Sequence, residues 1–242
     1  MNSEPCLSLF LLVLLPLAVG TVLGGWLVWQ HRLLAAAEKT TAPRPLPMHR
    51  YFVQLDARTR PECWLAVRTT STENVRAALG IHRAAPCTWA EGLAGEHEFF
   101  ISPPVHGWVI VTGQGLPLPS DDVDATFYFL TALSRQLGHV QYFYARRADA
   151  HHAWARLDDG CVTRAFAWAE TTLWNQGNVT VPETEAGLKL FAYADDAATP
   201  AAARHNFERV ARLAARWSLD PAEVQGAAAP LASGLAGEAA GT

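Results

Sequence analysis

Gly107-Trp108-Val109-Ile110-Val111-Thr112 opens the stretch from Gly107 to Ala169 around which the rest of the chain is organised. Trp108 to Val111 is a short run of β-branched and aromatic residues between turn residues, which predicts a strand. Ser120, Asp121, Asp122 and Asp124 follow, and such side chains cap free N–H groups and complement the dipole where a helix starts. Val123, Phe127, Leu130, Ser134 and Leu137 keep helical spacing up to Gly138, placed as a C-terminal cap. His139 to Tyr144 is the next strand. The unit is β-α-β, so its two strands can lie parallel with the helix packed across them.

His151 to Trp168 adds a hairpin around Asp158-Asp159-Gly160. A three-residue loop with Gly160 left-handed places Leu157 opposite Cys161 and Trp154 opposite Arg164. Side chains alternate along a strand. One face then carries Ala153, Ala155, Leu157, Cys161, Thr163, Ala165 and Ala167, small enough for a helix to approach closely. The other carries His152, Trp154, Arg156, Val162, Arg164, Phe166 and Trp168. This stripe has two readings. It is a second apolar layer with arginine stems lying along the rings, or it is a binding face for an anionic or planar partner. Trp154, Arg156, Arg164 and Trp168 are the candidate binding residues.

The chain has 242 residues, 50% of them hydrophobic. With an apolar leader and a tail set aside, about 170 residues remain, enough for one domain with a full core. Net charge is −4, and Lys39 and Lys189 are the only lysines. No basic patch stands out, so the electrostatic footprint of a nucleic-acid binder is missing and no nucleic-acid partner is expected. Of the four cysteines, Cys6 borders the leader and Cys63, Cys87 and Cys161 lie in the domain. An odd number with no Cys-x-x-Cys pair argues against a disulfide scaffold and for small buried core residues in a reducing compartment.

Leu7 to Trp29 is 23 residues without a charge. As a helix it would span about 34 Å, enough to cross a bilayer core. Leu7 opens this anchor, and Trp26 and Trp29 sit where interfacial aromatics belong. The start lacks the positive n-region of a signal peptide, and apolar residues run past the cleavage-like Ala18-Val19-Gly20. Arg32, Lys39 and Arg44 follow the run, so the positive-inside rule puts the domain in the cytoplasm of a bacterial inner membrane.

In order, residues 1–6 are a short tail, 7–30 the transmembrane helix, 31–50 a helix extension and Pro-rich linker, 51–220 a single domain, and 221–242 an Ala/Gly-rich tail too poor in apolar side chains to fold. Tyr51–Gln54, Cys63–Arg68 and Phe99–Ile101 read as strands, Thr72–Leu79 as a short helix and Thr172–Gly177 as a connection. Thr180-Val181-Pro182-Glu183 matches a capping box. Phe207, Val210, Ala214 and Trp217 form the apolar side of an amphipathic helix with basic residues on its other sides. The expected fold is α+β: a mixed sheet of about six or seven strands with helices on one face, plus one N-terminal transmembrane helix.

Cys87-Thr88-Trp89, Pro103-Pro104-Val105-His106-Gly107-Trp108, Leu133-Ser134-Arg135-Gln136-Leu137-Gly138, the Trp154–Trp168 hairpin and Trp217-Ser218-Leu219-Asp220-Pro221 occur together. In combination they resemble a group of uncharacterised bacterial proteins that share a domain of unknown function. The resemblance covers roughly Cys63 to Pro221. It implies one bacterial domain with the membrane leader as an addition, and no activity or functional residues.

Tests for chemistry return little. His151 and His152 are adjacent on a strand and point to opposite faces, so they do not chelate one ion, and His97, His106 and His139 lack ligand spacing. Cys87 with His106, or Cys161 with His152, could form a Cys–His pair, but no nucleophile signature surrounds either thiol. Gly113-Gln114-Gly115 follows a strand, yet Leu118 stands where a dinucleotide fingerprint needs its third glycine. No cofactor or metal is expected. The first functional expectation is a non-enzymatic, membrane-anchored binding module. The alternative is a membrane-tethered hydrolase or transferase whose Cys–His or acid–base site assembles only in the fold.

Overall fold

β1 (Cys63–Val67) is buried at all five positions. Side chains alternate along a strand, so both faces of its sheet must be covered. The computed structural model describes residues 60–94, 96–193, 199–227 and 233–239. Among these, β1 is joined by β2 (Ile81–Cys87), β3 (Phe99–Ile101), β4 (Val109–Thr112), β5 (His139–Ala145), β6 (His152–Asp158), β7 (Cys161–Ala169), β8 (Thr171–Gln176) and β9 (Gly234–Ala239). They form a nine-stranded sheet in the order β2-β9-β3-β4-β1-β5-β6-β7-β8. Every pairing is antiparallel.

The helices are α1 (Thr72–Ala78), α2 (Trp89–Leu93), α3 (Val123–Leu137), α4 (Val181–Ala186), α5 (Pro200–Phe207), α6 (Val210–Trp217) and α7 (Pro221–Ala227). One sheet face, with Leu65, Val111, Tyr142 and the alanines 153, 155, 165 and 167, packs against Val75 of α1 and Leu130 and Leu133 of α3. The alanines let α3 lie close, as their size predicts. The other face, with Trp64, Ile110, Phe143, Trp154, Phe166 and Trp168, is covered by Trp89 and Leu93 of α2, Ala203 of α5, Leu213 of α6 and Val224 of α7. Trp64 stacks on Phe143 at 5.3 Å between ring centroids.

The expected mixed α+β sheet of six or seven strands with helices on one face is therefore corrected: nine antiparallel strands carry helices on both faces. β4, α3 and β5 do form a crossover whose strands run the same way, but they are not neighbours. β1 lies between them and pairs with both, Trp64 facing Thr112 on one side and Phe143 on the other. Three strands escaped the sequence reading. β2 has five exposed positions between Ile81 and Cys87, so it lacks the alternation that marks a strand. β8 read as a connection; it is an edge strand whose Trp174 packs against Phe127 at 5.7 Å. The Tyr193 hydroxyl accepts from the Asn175 N–H at 2.7 Å, which occupies that edge. β9 falls in the tail expected to be unstructured and lies between β2 and β3. Its composition suits that place: a Cβ at Gly237 would overlap the Arg83 carbonyl oxygen.

The hairpin turns over two residues instead of three. Asp159 (φ 48°) and Gly160 (φ 79°) are both left-handed, as a type I′ turn requires. Asp158 faces Cys161, and a bulge at Thr163 shifts the register so that Arg156 faces Arg164 and Trp154 faces Phe166. Val162 thereby joins Leu157 on the small-residue face. No helix among the described residues is long and apolar enough to cross a membrane. The expected transmembrane helix, with Leu7, Trp26 and Trp29, and the strand at Tyr51–Gln54 lie outside the described residues.

Deleting residues 233–242 should remove β9, leaving β2 unpaired and β3 with β4 alone, and lower stability by on the order of 3 kcal/mol or more in chemical denaturation. An unchanged unfolding midpoint would show that the tail contributes nothing to the sheet.

Candidate functional site

The aromatic–arginine stripe is core. Trp154, Arg164 and Trp168 are 0%, 1% and 6% exposed, because α4, α5 and α6 cover that face. Arg156 alone of the four keeps a partly exposed side chain, with its Nε 3.8 Å from Asp158 Oδ2. The reading of these four residues as a docking face is corrected accordingly. Sequence reasoning missed their partner, Glu183. Its capping box with Thr180 is present as expected, but the same carboxylate is 1% exposed and reaches into the stripe. Glu183 Oε1 accepts from Trp154 Nε1 at 2.7 Å and from Arg164 Nε at 2.8 Å. Its Oε2 accepts from the Thr180 N–H and hydroxyl, both at 2.7 Å. Arg164 Nη1 faces the Ala165 and Gln176 carbonyls and Asn175 Oδ1 within 3.0 Å. A buried carboxylate and guanidinium persist only when paired and hydrogen-bonded in this way.

His152 is enclosed by the same face, stacked near-parallel to Trp168 at 5.4 Å and to Trp154 at 6.0 Å. Its Nδ1–H donates to the Ala150 carbonyl at 2.8 Å. Asn206 fixes the other nitrogen. The Asn206 Oδ1 accepts from the Lys189 N–H at 2.7 Å, so the amide is oriented and Nδ2 donates to His152 Nε2 at 3.2 Å. A proton on Nε2 would meet a donor. Burial lowers the imidazole to about 4.

The structure assembles neither Cys–His pair imagined from sequence. It brings Cys87 to His97 instead, with Sγ 3.6 Å from Nε2, in a recess of about 530 Å³ that Glu91 also lines. Only a fold that places α2 and the start of β3 beside the end of β2 could reveal this pair. The surroundings do not activate the thiol. Sγ lies 3.4 Å from the Thr88 carbonyl oxygen and 4.0 Å from Glu91 Oε2, and burial followed by the Glu91 charge pushes the thiol up. Nucleophilic cysteines need the reverse, an electropositive neighbourhood. Cys63 is pushed up by burial to about 12, and Cys161 is exposed. Among the described residues no group of three or more His, Cys, Asp or Glu side chains is placed to hold a metal.

A cavity of about 1140 Å³ opens where β1 begins and β4 and β5 end. Trp64, Leu93, Leu116, Leu118 and Phe207 form its apolar wall, and Arg60, Glu62, Arg147 and Glu208 supply charge. Arg60 is held in place by a two-pronged bond to Asp220, Nε to Oδ1 at 3.1 Å and Nη2 to Oδ2 at 2.7 Å. None of these residues was a site candidate in the sequence, because they come from separate elements and gather only at the sheet end. A comparison with protein-family models, curated proteins and solved structures finds no match for this chain.

Two expectations follow from these environments. Among the described cysteines, a thiol reagent at neutral pH should modify Cys161 first and leave Cys87 and Cys63 nearly inert. Raising the pH, or replacing Glu91 with Gln, should speed Cys87, because each increases its thiolate fraction; rapid modification of Cys87 in the unaltered protein at neutral pH would show an activated thiol. His152 titrates at 6.5 when unfolded and about 4 when folded, so below pH 6.5 the unfolded chain binds more protons. Its contribution is complete above pH 6.5 and is lost as the pH falls toward 4, worth about 3 kcal/mol. Denaturation at pH 7 and pH 4.5 should show a smaller difference in His152→Gln than in the unaltered chain, and equal differences would refute the assignment.

Proposed function

We propose that the chain is a membrane-anchored, non-enzymatic binding module whose ligand site is the cavity of about 1140 Å³ at the start of β1. The cavity carries the proposal. Small-molecule sites are concave, mostly apolar and fitted with a few polar groups, and this one sets Trp64, Leu116 and Phe207 beside Arg60 and Arg147. An amphipathic molecule suits it, with its apolar body against the wall and its polar head among the charges at the rim. The burial of the aromatic–arginine stripe moves the binding reading from the stripe to this cavity. The uncharged run Leu7–Trp29 is the proposed anchor, and Arg32, Lys39 and Arg44 after it favour a cytoplasmic domain.

One observation favours a second reading, a thiol-dependent hydrolase or transferase: the Cys87–His97 approach at 3.6 Å. The raised thiol stands against it.

Anilinonaphthalene sulfonate, a planar amphipathic anion, serves as the probe. It should brighten at a single saturable site in the folded protein. Ala211→Trp, which fills the cavity from α6, should abolish that signal while the melting temperature stays within a few degrees. An unchanged signal in a folded Ala211→Trp variant would rule the cavity out.

A further inference from the structure

The outer side of α5 and α6 concentrates positive charge on a chain whose net charge is −4. Arg209, Arg212 and Arg216 are spaced i, i+3, i+7, so they share one side of α6, opposite buried Val210, Leu213 and Ala214. Lys189 and Arg204 extend the patch. Lys189 is tied to Asn206 of α5 through its backbone, and Arg204 lies on α5 itself, one residue before His205, whose Nε2–H donates to the Gly187 carbonyl at 2.8 Å. Lys189, Arg204, Arg212 and Arg216 are exposed and Arg209 is half-buried. Among the described residues two carboxylates oppose them: Glu185 pairs with Arg216, and Glu208 stands at the end of α5. Arg204 and Arg212 have no side-chain partner among the described residues. Exposed guanidinium groups on these two helices leave the face open to an anionic partner.

We propose that this α5–α6 face docks the domain onto an anionic lipid surface, the bilayer that carries the Leu7–Trp29 anchor. The inference rests on the anchored reading above. Two features select lipid over other anionic partners. The first is charge complementarity: each Lys or Arg near an anionic leaflet strengthens attachment roughly fivefold. The second is reach. Residues 30–59 separate the uncharged run from the first described residue, and that length of chain reaches at most about 100 Å even when fully extended. An anchored domain therefore stays within contact of the bilayer, and weak surface attraction suffices to hold it there. Docking would orient the domain relative to the bilayer and set the side from which an amphipathic ligand reaches the cavity, since Phe207, Glu208 and Ala211 of the same helical pair line it.

The test uses the full chain with Cys6→Ser, Cys161→Ser and Ala215→Cys, which places a fluorophore on the exposed side of α6 beside Arg212. The protein is reconstituted with vesicles of phosphatidylcholine, alone or mixed with phosphatidylglycerol, that carry a headgroup quencher. Flotation reports anchoring and quenching reports docking. Quenching is expected in anionic vesicles, weaker in neutral ones, and removed by salt because exposed charges are screened. Lys189→Gln, Arg204→Gln and Arg212→Gln together should lower the ratio of docked to undocked protein on the order of a hundredfold, with an unchanged melting temperature. Failure to float with neutral vesicles would remove the anchor, while quenching by anionic vesicles would still report on the face. Equal quenching in both lipids, or full quenching in the folded triple variant, overturns the docking proposal.

Discussion

Glu183 binds Trp154, Arg164 and Thr180 with one buried carboxylate, and much of the covered sheet face depends on that arrangement. It joins β6 and β7 to α4, while Arg164 extends the network to β8 through Asn175 and Gln176. Removing charge from water costs several kcal/mol per ion. Here both oxygens of Glu183 are occupied, so the cost is offset by bonds whose directions are fixed. That directionality matters more than net energy. An apolar layer of Trp154, Phe166 and Trp168 would accept α4 in many positions, whereas one carboxylate meeting an indole N–H and a guanidinium Nε accepts few. Arg164 Nη2 has no partner among the described residues, so the network is not fully satisfied.

The sheet above this network is held together by insertion. β1 enters between the two strands of a crossover, and β9 enters between β2 and β3. Both insertions join residues far apart in sequence, so the chain must close long loops before those contacts form, a slow route to a fold. The two edges end differently. β8 is closed by Tyr193, and β2 carries Pro86, which offers no N–H to a passing strand.

Chemistry and binding separate in space. Cys87 and His97 meet at the β2 end of the sheet, in surroundings that keep the thiol protonated. The large cavity lies at the start of β1, against the α5–α6 pair. The proposed membrane face lies on the outer side of that same pair. The proposed ligand cavity and the proposed attachment surface would share two helices, a route by which ligand and membrane could be coupled.

Residues close in sequence determined a good deal by themselves. The helix from Val123 to Leu137, the cap at Thr180, the strands around Val109 and Val140, and the small-residue face open to a helix all follow from spacing and capping chemistry that act within a few residues. The pattern 151–168 gave a hairpin, but not its register, because a bulge at Thr163 exchanges one residue between faces and no local rule requires it. Trp154, Arg164 and Trp168 read equally well as core or as a docking stripe, since alternation shows which residues share a face and not what covers it. Glu183 decided that question from 19 residues beyond Arg164. Tertiary structure alone placed β1 between β4 and β5, gave the Gly-rich 234–239 segment two neighbours, brought His97 to Cys87 and gathered the cavity wall from separate elements. Each of these joins distant parts of the chain through backbone pairing or packing, and the sequence near either partner carries no trace of the other.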